Sequence, residues 1–324
     1  MDKVLVLFKS DPDFRKELEG ILSGYNIIFN ESEHTDSIDA ETAGNATVIF
    51  GNPKADFLAL CPRLKWLQLQ SSGADGYVNG EINKETVLLT SATGCYGHAV
   101  SEHMAALTLT LMKNLHLYRD EQAACRWQRR GAVKSIRGAV VLVIGLGDIG
   151  SGYARLMKAL GSYVIGVRRS ARTKPDFVDE LLLPGQIEEA LPRADVTALI
   201  IPGTKDTTGL IGRSQLAKMK NDAIIINAGR GSAIDTEALC DALQAGTLGG
   251  AGLEVTDPEP LPPDHRLWKM ENVLITPHIA GGRHMSQTYQ YIMKRNLENA
   301  RRFVRGEALE SLVDYNTGFC FPKE

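Results

Sequence analysis

The apolar run Val140-Val141-Leu142-Val143-Ile144 leads into Gly145-Leu146-Gly147-Asp148-Ile149-Gly150 and then into a helical pattern through Ala154, Leu156, Met157 and Leu160. Strand, glycine-rich turn and helix in that order make a dinucleotide site. Gly145 makes the tight turn, Gly147 lets the backbone approach a pyrophosphate, and Gly150 lets helix pack on strand. The anion would sit on the helix N-terminus, where free N–H groups and the helix dipole favour it. An acid about 20 residues after the motif would bind both ribose hydroxyls. This chain has Arg168 at that place, followed by Arg169, Ser170 and Arg172, and no acid among them. Planar guanidinium forks suit a phosphate better than a bare diol, so the cluster points to the 2′-phosphate of NADP(H), with NAD(H) still possible.

Three later strand ends carry polar residues that a buried sheet does not require. Ala223-Ile224-Ile225-Ile226-Asn227-Ala228-Gly229-Arg230-Gly231 ends an apolar run in an arginine between two glycines. The run through Leu253-Glu254-Val255 continues into Thr256-Asp257-Pro258-Glu259-Pro260-Leu261-Pro262, a proline-rich loop with acids in it. Val273-Leu274-Ile275-Thr276-Pro277-His278-Ile279-Ala280-Gly281-Gly282 ends a third run in a histidine. In an open parallel sheet the ligand lies outside the carboxyl ends of the strands, so these three loops can converge on it. The other histidines, His34, His98, His103, His116, His265 and His284, are read as structural. His98 and His103 share a predicted helix without forming an HExxH metal motif.

The elements that must position these residues follow from the apolar pattern. Short Val/Ile/Leu runs alternate with longer helical patterns throughout, as in parallel sheets built from βαβ units. The first series of predicted strands is Val4 to Phe8, Ile27 to Phe29, Thr47 to Phe50, Trp66 to Gln70 and Val87 to Thr90. The second is Val140 to Ile144, Tyr163 to Val167, Val196 to Ile201, Ala223 to Asn227, Gly250 to Val255 and Val273 to Thr276. Apolar runs without alternation are those of strands covered on both faces. Asp11 to Leu22 and Pro53 to Leu60 read as helices, and Ala99 to Glu121 and Met285 to Arg305 as longer ones that flank the second series. The fold class is therefore α/β, with two doubly wound parallel sheets. The two long helices lie where the chain passes between domains, giving 1–98 and 284–324 to a discontinuous substrate domain and 99–283 to a cofactor domain inserted in it.

In combination, the NAGRG, DPEPLP and TPHIAGG segments and the glycine turn resemble the D-isomer-specific 2-hydroxyacid dehydrogenases, and within them the glyoxylate/hydroxypyruvate reductase branch. The resemblance runs over essentially the whole chain. It implies a Rossmann-type cofactor domain inserted into a flavodoxin-like substrate domain. It also implies reduction of short 2-keto acids, such as glyoxylate or hydroxypyruvate, to D-2-hydroxy acids. Arg230, Glu259 and His278 match the family's catalytic triad. Arg230 would clamp the substrate carboxylate and orient the carbonyl. His278 would donate a proton to the keto oxygen as hydride arrives from C4 of the nicotinamide, and Glu259 would hold the imidazole and raise its pKa.

By the same resemblance, Ser72 and Gly73 in the segment Gln70 to Asp75 would offer N–H groups to the substrate, and closure over this loop would exclude water. Gly145, Gly147, Asp148, Ile149, Gly150, Arg168, Arg169, Ser170, Pro202, Thr207, Ala228, Gly229, His278, Ala280 and Gly281 would contact the cofactor. Val100 and Met104 would lie near the nicotinamide. Glu254 stands where the family usually has Asp, placed to accept from the nicotinamide carboxamide with one methylene more. A homodimer through the cofactor domain is implied, with Tyr118 to Arg130 as the crossing segment. A phosphoglycerate dehydrogenase-like enzyme and a cofactor-sensing, corepressor-like binding protein are the alternatives.

Global counts agree with that class. At 324 residues two domains are expected, and 44% hydrophobic with 23% charged residues is an ordinary globular composition. A net charge of -3 offers no attraction to nucleic acid. No apolar stretch reaches the roughly 18 residues of a membrane span. The five cysteines are odd in number, with no CxxC pair, so neither a disulfide framework nor a thiolate metal site is expected, and a cytoplasmic setting fits. The 31 glycines are the one excess, and many of them fall in the segments above.

Overall fold

Runs of consecutive buried residues, rather than alternating ones, build the central strands of the two parallel sheets in the computed structural model, which describes residues 2–31, 34–78, 82–169, 173–282 and 285–320. The chain forms two units, one of Met1–Tyr96 with Gly282–Glu324 and one of Gly97–Gly281.

In the first unit the elements run β1 (Lys3–Leu7), α1 (Pro12–Ile21), β2 (Asn26–Asn30), α2 (Ala40–Gly44), β3 (Ala46–Phe50), α3 (Ala55–Ala59), β4 (Trp66–Gln68), α4 (Asp75–Val78) and β5 (Leu88–Thr90). The sheet order is β2-β1-β3-β4-β5 and every pairing is parallel, the flavodoxin-like order. Its two faces explain the missing alternation. Leu5, Leu7, Ile49 and Leu67 enter one core, while Val4, Val6, Val48, Phe50 and Trp66 enter the other. The first helix begins where Asp11 accepts from the Phe14 N–H at 2.8 Å, with a proline in its first turn.

The second unit continues with α5 (Gly97–Met112), α6 (Leu115–Ala123), β6 (Val140–Ile144), α7 (Asp148–Ala159), β7 (Tyr163–Val167), β8 (Glu180–Leu182), α8 (Ile187–Ala190), β9 (Val196–Leu199), α9 (Arg213–Leu216), β10 (Ile224–Asn227), α10 (Thr236–Gln244), β11 (Gly250–Leu253) and β12 (Val273–Ile275). The order β8-β7-β6-β9-β10-β11-β12 is all parallel and reverses between β6 and β9. That reversal is the topological switch point at which α/β sheets bind ligands. The chain then returns to the first unit as α11 (Ser286–Arg305), β13 (Val313–Asp314) and β14 (Phe319–Cys320).

Some expectations shift. The predicted helix Ala99 to Glu121 is two helices, because Asn114 takes a left-handed φ of 55° and its side chain donates to the carbonyl of Arg130 at 2.7 Å. The helix expected from Pro53 narrows to Ala55–Ala59, and the strand expected to reach Gln70 stops at Gln68. The short β8 has no Val/Ile run and gave no sequence signal. The units divide at 96/97 and 281/282, where the sequence suggested 98/99 and 283/284. Gly97 already belongs to the second unit, since a Cβ there would lie 2.4 Å from Asp148 Oδ1. Among the described residues no helix is long and apolar enough to cross a membrane.

Candidate active site

The strand registers set one edge. Val167 pairs with Ile144, Ile144 with Leu199, Leu199 with Asn227, Asn227 with Leu253, and Leu253 with Ile275. Six strands therefore end in a single row, and the segments that follow them leave the sheet at the same level. Those segments begin at Arg168, Gly145, Ile200, Ala228, Glu254 and Thr276, so the sequence-predicted residues of the second unit gather at its carboxyl edge.

At the glycine turn, each glycine answers a different demand. Gly145 has φ 103°, and a Cβ there would lie 2.3 Å from the Ile200 carbonyl oxygen. A Cβ on Gly150 would lie 1.8 Å from the Gly145 carbonyl oxygen, which is the close helix–strand contact. Gly147 meets nothing within 4 Å and is the N-cap of α7, with no side chain closing that helix end. Open space over the N-terminus of a 12-residue helix is the environment a pyrophosphate needs. Gly150→Ala is expected to destabilise the fold by more than the ~1–3 kcal/mol of ordinary overpacking, because the obstacle is backbone. Denaturant titration beside NADPH fluorescence binding checks this, and a stable Gly150→Ala protein with intact binding would contradict it.

Arg168 follows β7 half-buried, with Nη2 donating to the Thr173 carbonyl at 3.0 Å, and Arg169 is exposed. Ser170, also expected at the cofactor, lies outside the described residues. In the loop after β9, Thr207 Oγ1 accepts from the Thr204 N–H at 2.8 Å and donates to the Pro202 carbonyl at 2.7 Å, so Pro202 and Thr207 brace one turn.

Asn227, 1% exposed, shapes the arginine loop. Its Oδ1 accepts from the Gly229 N–H at 3.1 Å, and its Nδ2 donates to the Arg230 carbonyl at 2.9 Å. Arg230 Nη1 donates to the Gly229 carbonyl at 2.7 Å. Gly229 admits the Ile201 backbone, and Gly231 admits Thr256, whose carbonyl oxygen would be 2.0 Å from a Cβ. The arginine loop thus lies directly against the proline-rich loop that carries Glu259.

His278 Nδ1 meets Glu259 Oε1 at 2.6 Å, and both side chains are about half exposed. The backbone of His278 is left-handed, at φ 52°. Its N–H is shared between the carbonyls of Glu254 and Thr276, each at 3.0 Å. With Nδ1 directed to a carboxylate, the proton on that atom is held, and Nε2 is the ring nitrogen available to another acceptor or donor.

Glu254, expected at the nicotinamide carboxamide, also meets protein donors. It is 2% exposed, and protein donors take both carboxylate oxygens: the Ala280 N–H on Oε1, with the Thr276 hydroxyl and His103 Nε2, the latter at 3.1 Å, on Oε2. Burial pushes its carboxyl up, but the hydrogen bonds from His103, Thr276 and Ala280 outweigh burial and hold it below the usual carboxylate range. His103, read as structural, is one of these donors. Met104, expected near the nicotinamide, is 0% exposed in the helix core, and Val100 is 6% exposed.

In the first unit, the Gln70–Gly73 loop is held by its own network. Asn52 accepts from the Gln70 N–H at 2.8 Å and donates to Ser71 Oγ at 2.7 Å, and Ser71 Oγ donates to the Gly73 carbonyl at 2.8 Å. Among the described residues, the N–H groups of Ser72 and Gly73 donate to no protein acceptor.

Comparison with known proteins agrees with this geometry. The sequence pattern of the D-isomer specific 2-hydroxyacid dehydrogenase NAD binding domain matches residues 105–280. A glyoxylate reductase of Korarchaeum cryptofilum is 30% identical over 80% of this chain and 79% of its own. A solved D-isomer specific 2-hydroxyacid dehydrogenase family protein from Aeromonas salmonicida superposes with a TM-score of 0.84 at 29% identity, covering 97% of this chain and 99% of that one. The NADPH-dependent glyoxylate/hydroxypyruvate reductase of Sinorhizobium meliloti, solved with NADP and sulfate, gives 0.82 at 26% identity, covering 98% and 100%. The chain belongs to the D-isomer specific 2-hydroxyacid dehydrogenase family and is a nicotinamide-dependent oxidoreductase.

Proposed function

We propose that the protein reduces short 2-keto acids, of the size of glyoxylate and hydroxypyruvate, to D-2-hydroxy acids with NADPH as the preferred reductant. The His278–Glu259 pair at 2.6 Å, on the sheet edge that also bears the glycine turn, is the observation that carries the reading. The names of the Korarchaeum and Sinorhizobium relatives support the substrate class, and the NADP complex of the latter supports the cofactor.

The residues fit a dinucleotide: Gly147 and the N-terminus of α7 for the pyrophosphate, and Arg168 and Arg169 for the 2′-phosphate. When bound, the reduced nicotinamide supplies the hydride. Arg230 holds the substrate carboxylate in a bidentate grip and so fixes the neighbouring carbonyl. His278 Nε2 gives its proton to the carbonyl oxygen as negative charge grows there, and Glu259 stabilises the imidazolium and fixes the ring by its contact with Nδ1.

A homodimer through the second unit completes the reading. Trp127, fully exposed, lies in the segment Tyr118 to Arg130, and Leu115 and Val133 beside it are 53% and 52% exposed. Exposed apolar side chains in this segment support the homodimer reading. Five free cysteines, two of them not buried, fit a cytoplasmic setting.

The test of the cofactor assignment is kcat/KM for both cofactors with one 2-keto acid. NADPH is expected to be the better substrate, and Arg168→Gln should lower kcat/KM for NADPH by about 10-fold or more while leaving NADH within about 2-fold, in line with one charge-assisted hydrogen bond. Equal use of both cofactors by the parent protein would contradict the assignment.

A further inference from the structure

His278 holds a φ of 52°, a conformation that a residue with a side chain adopts only when its surroundings impose it. Glu254 makes several of the contacts around it. Its carbonyl accepts from the His278 N–H at 3.0 Å, and its carboxylate accepts from the Ala280 N–H two residues on and from the Thr276 hydroxyl two residues before. The loop is therefore gripped on both sides of the imidazole by one buried residue of the neighbouring strand end.

The grip extends to a helix. The Thr276 hydroxyl spends its one proton on Glu254, so at the 3.0 Å contact with His103 Nε2 the imidazole N–H is the donor. The same nitrogen is 3.1 Å from Glu254 Oε2. His103 lies in the middle of α5, which packs on β10 and β11. His103, Thr276 and Glu254 thus join the helix to the loop through a nearly solvent-free carboxylate.

We propose that Glu254 and His103 are positioning residues that fix the His278 loop for proton donation. The inference rests on the assignment of His278 as the proton donor. The extra methylene is what makes the clasp reach: an aspartate side chain is about 1.5 Å shorter and cannot meet Ala280 on one side and His103 with Thr276 on the other.

The family's usual residue supplies the discriminating test. Glu254→Asp, Glu254→Gln, His103→Ala and His103→Gln are compared with the parent for kcat, keto-acid KM, NADPH Kd by fluorescence titration, and the imidazole signals of ¹⁵N-histidine-labelled protein. Glu254→Asp is expected to lower kcat 10-fold or more, with Kd and KM within 3-fold and the His278 signals shifted. Glu254→Gln keeps the reach but replaces one acceptor oxygen with an amide donor, so its kcat should fall between those of the parent and Glu254→Asp. His103→Ala should lower kcat about 3- to 10-fold, and His103→Gln, which keeps a donor at that distance, should recover most of the loss.

An unchanged kcat in Glu254→Asp, or a 10-fold weaker NADPH Kd with kcat preserved, would overturn the proposal. If Glu254→Asp does not fold, His103→Ala decides, and an unchanged kcat and His278 spectrum overturns it. His278→Gln in the same assays separates the two levels. Undiminished turnover in His278→Gln removes the active-site assignment itself, whereas loss in His278→Gln with none in Glu254→Asp removes only the clasp.

Discussion

Replacing His278 with glutamine is expected to lower kcat for 2-keto acid reduction by about 10²–10⁴-fold, the range over which a positioned general acid contributes. NADPH binding should change far less than kcat, because the glycine turn and Arg168 are untouched. The expectation follows from the ring's surroundings: Nδ1 is committed to Glu259 at 2.6 Å, and the loop backbone fixes where the imidazole points. A glutamine amide can hydrogen-bond the carbonyl oxygen but cannot surrender a proton to it. The pH dependence has a definite sign. Reduction takes a proton from the enzyme and oxidation of the hydroxy acid returns one, so the reductive rate is favoured towards lower pH and the oxidative rate towards higher pH. Steady-state rates in both directions check this, and a flat reduction profile would speak against His278.

The second large effect belongs to Arg230. Arg230→Lys should lower kcat/KM for a 2-keto acid by about 10²-fold, as loss of one or two charge-assisted hydrogen bonds at about 1.5–3 kcal/mol each requires. Lysine keeps the charge but not the planar fork, and Asn227, Gly229 and Gly231 have shaped the loop around an arginine whose Nη1 is already bound to Gly229. The deficit should shrink for the methyl ester of the same keto acid, which has no carboxylate to clamp. An equal deficit for acid and ester would show that Arg230 acts elsewhere.

Much of the sheet edge was legible because its signals are local. A buried apolar run ending in glycines has few other uses, and the two cores of the first unit and the row of strand ends in the second follow from runs such as Val4 to Leu7 and Ile224 to Ile226. The break at Asn114 was not legible, since no glycine or proline marks it and its carbonyl partners lie beyond the end of α6. Nor was His103, whose contact with Thr276 spans 173 positions, so that spacing on its own helix says nothing of it. Glu254 was read as a ligand because it stands where the resembled family usually has Asp, and only the coordinates place its oxygens on Ala280, Thr276 and His103. In each case the deciding partner is supplied by the fold and not by the neighbouring residues.

One measurement bears most directly on the assigned activity: NADPH oxidation followed at saturating hydroxypyruvate, with the product resolved on a chiral column. The result expected is one D-glycerate formed per NADPH consumed, with the rate lowered about 10²–10⁴-fold in His278→Gln. NADPH binding without turnover on hydroxypyruvate, glyoxylate or pyruvate, or formation of the L-product, would contradict it.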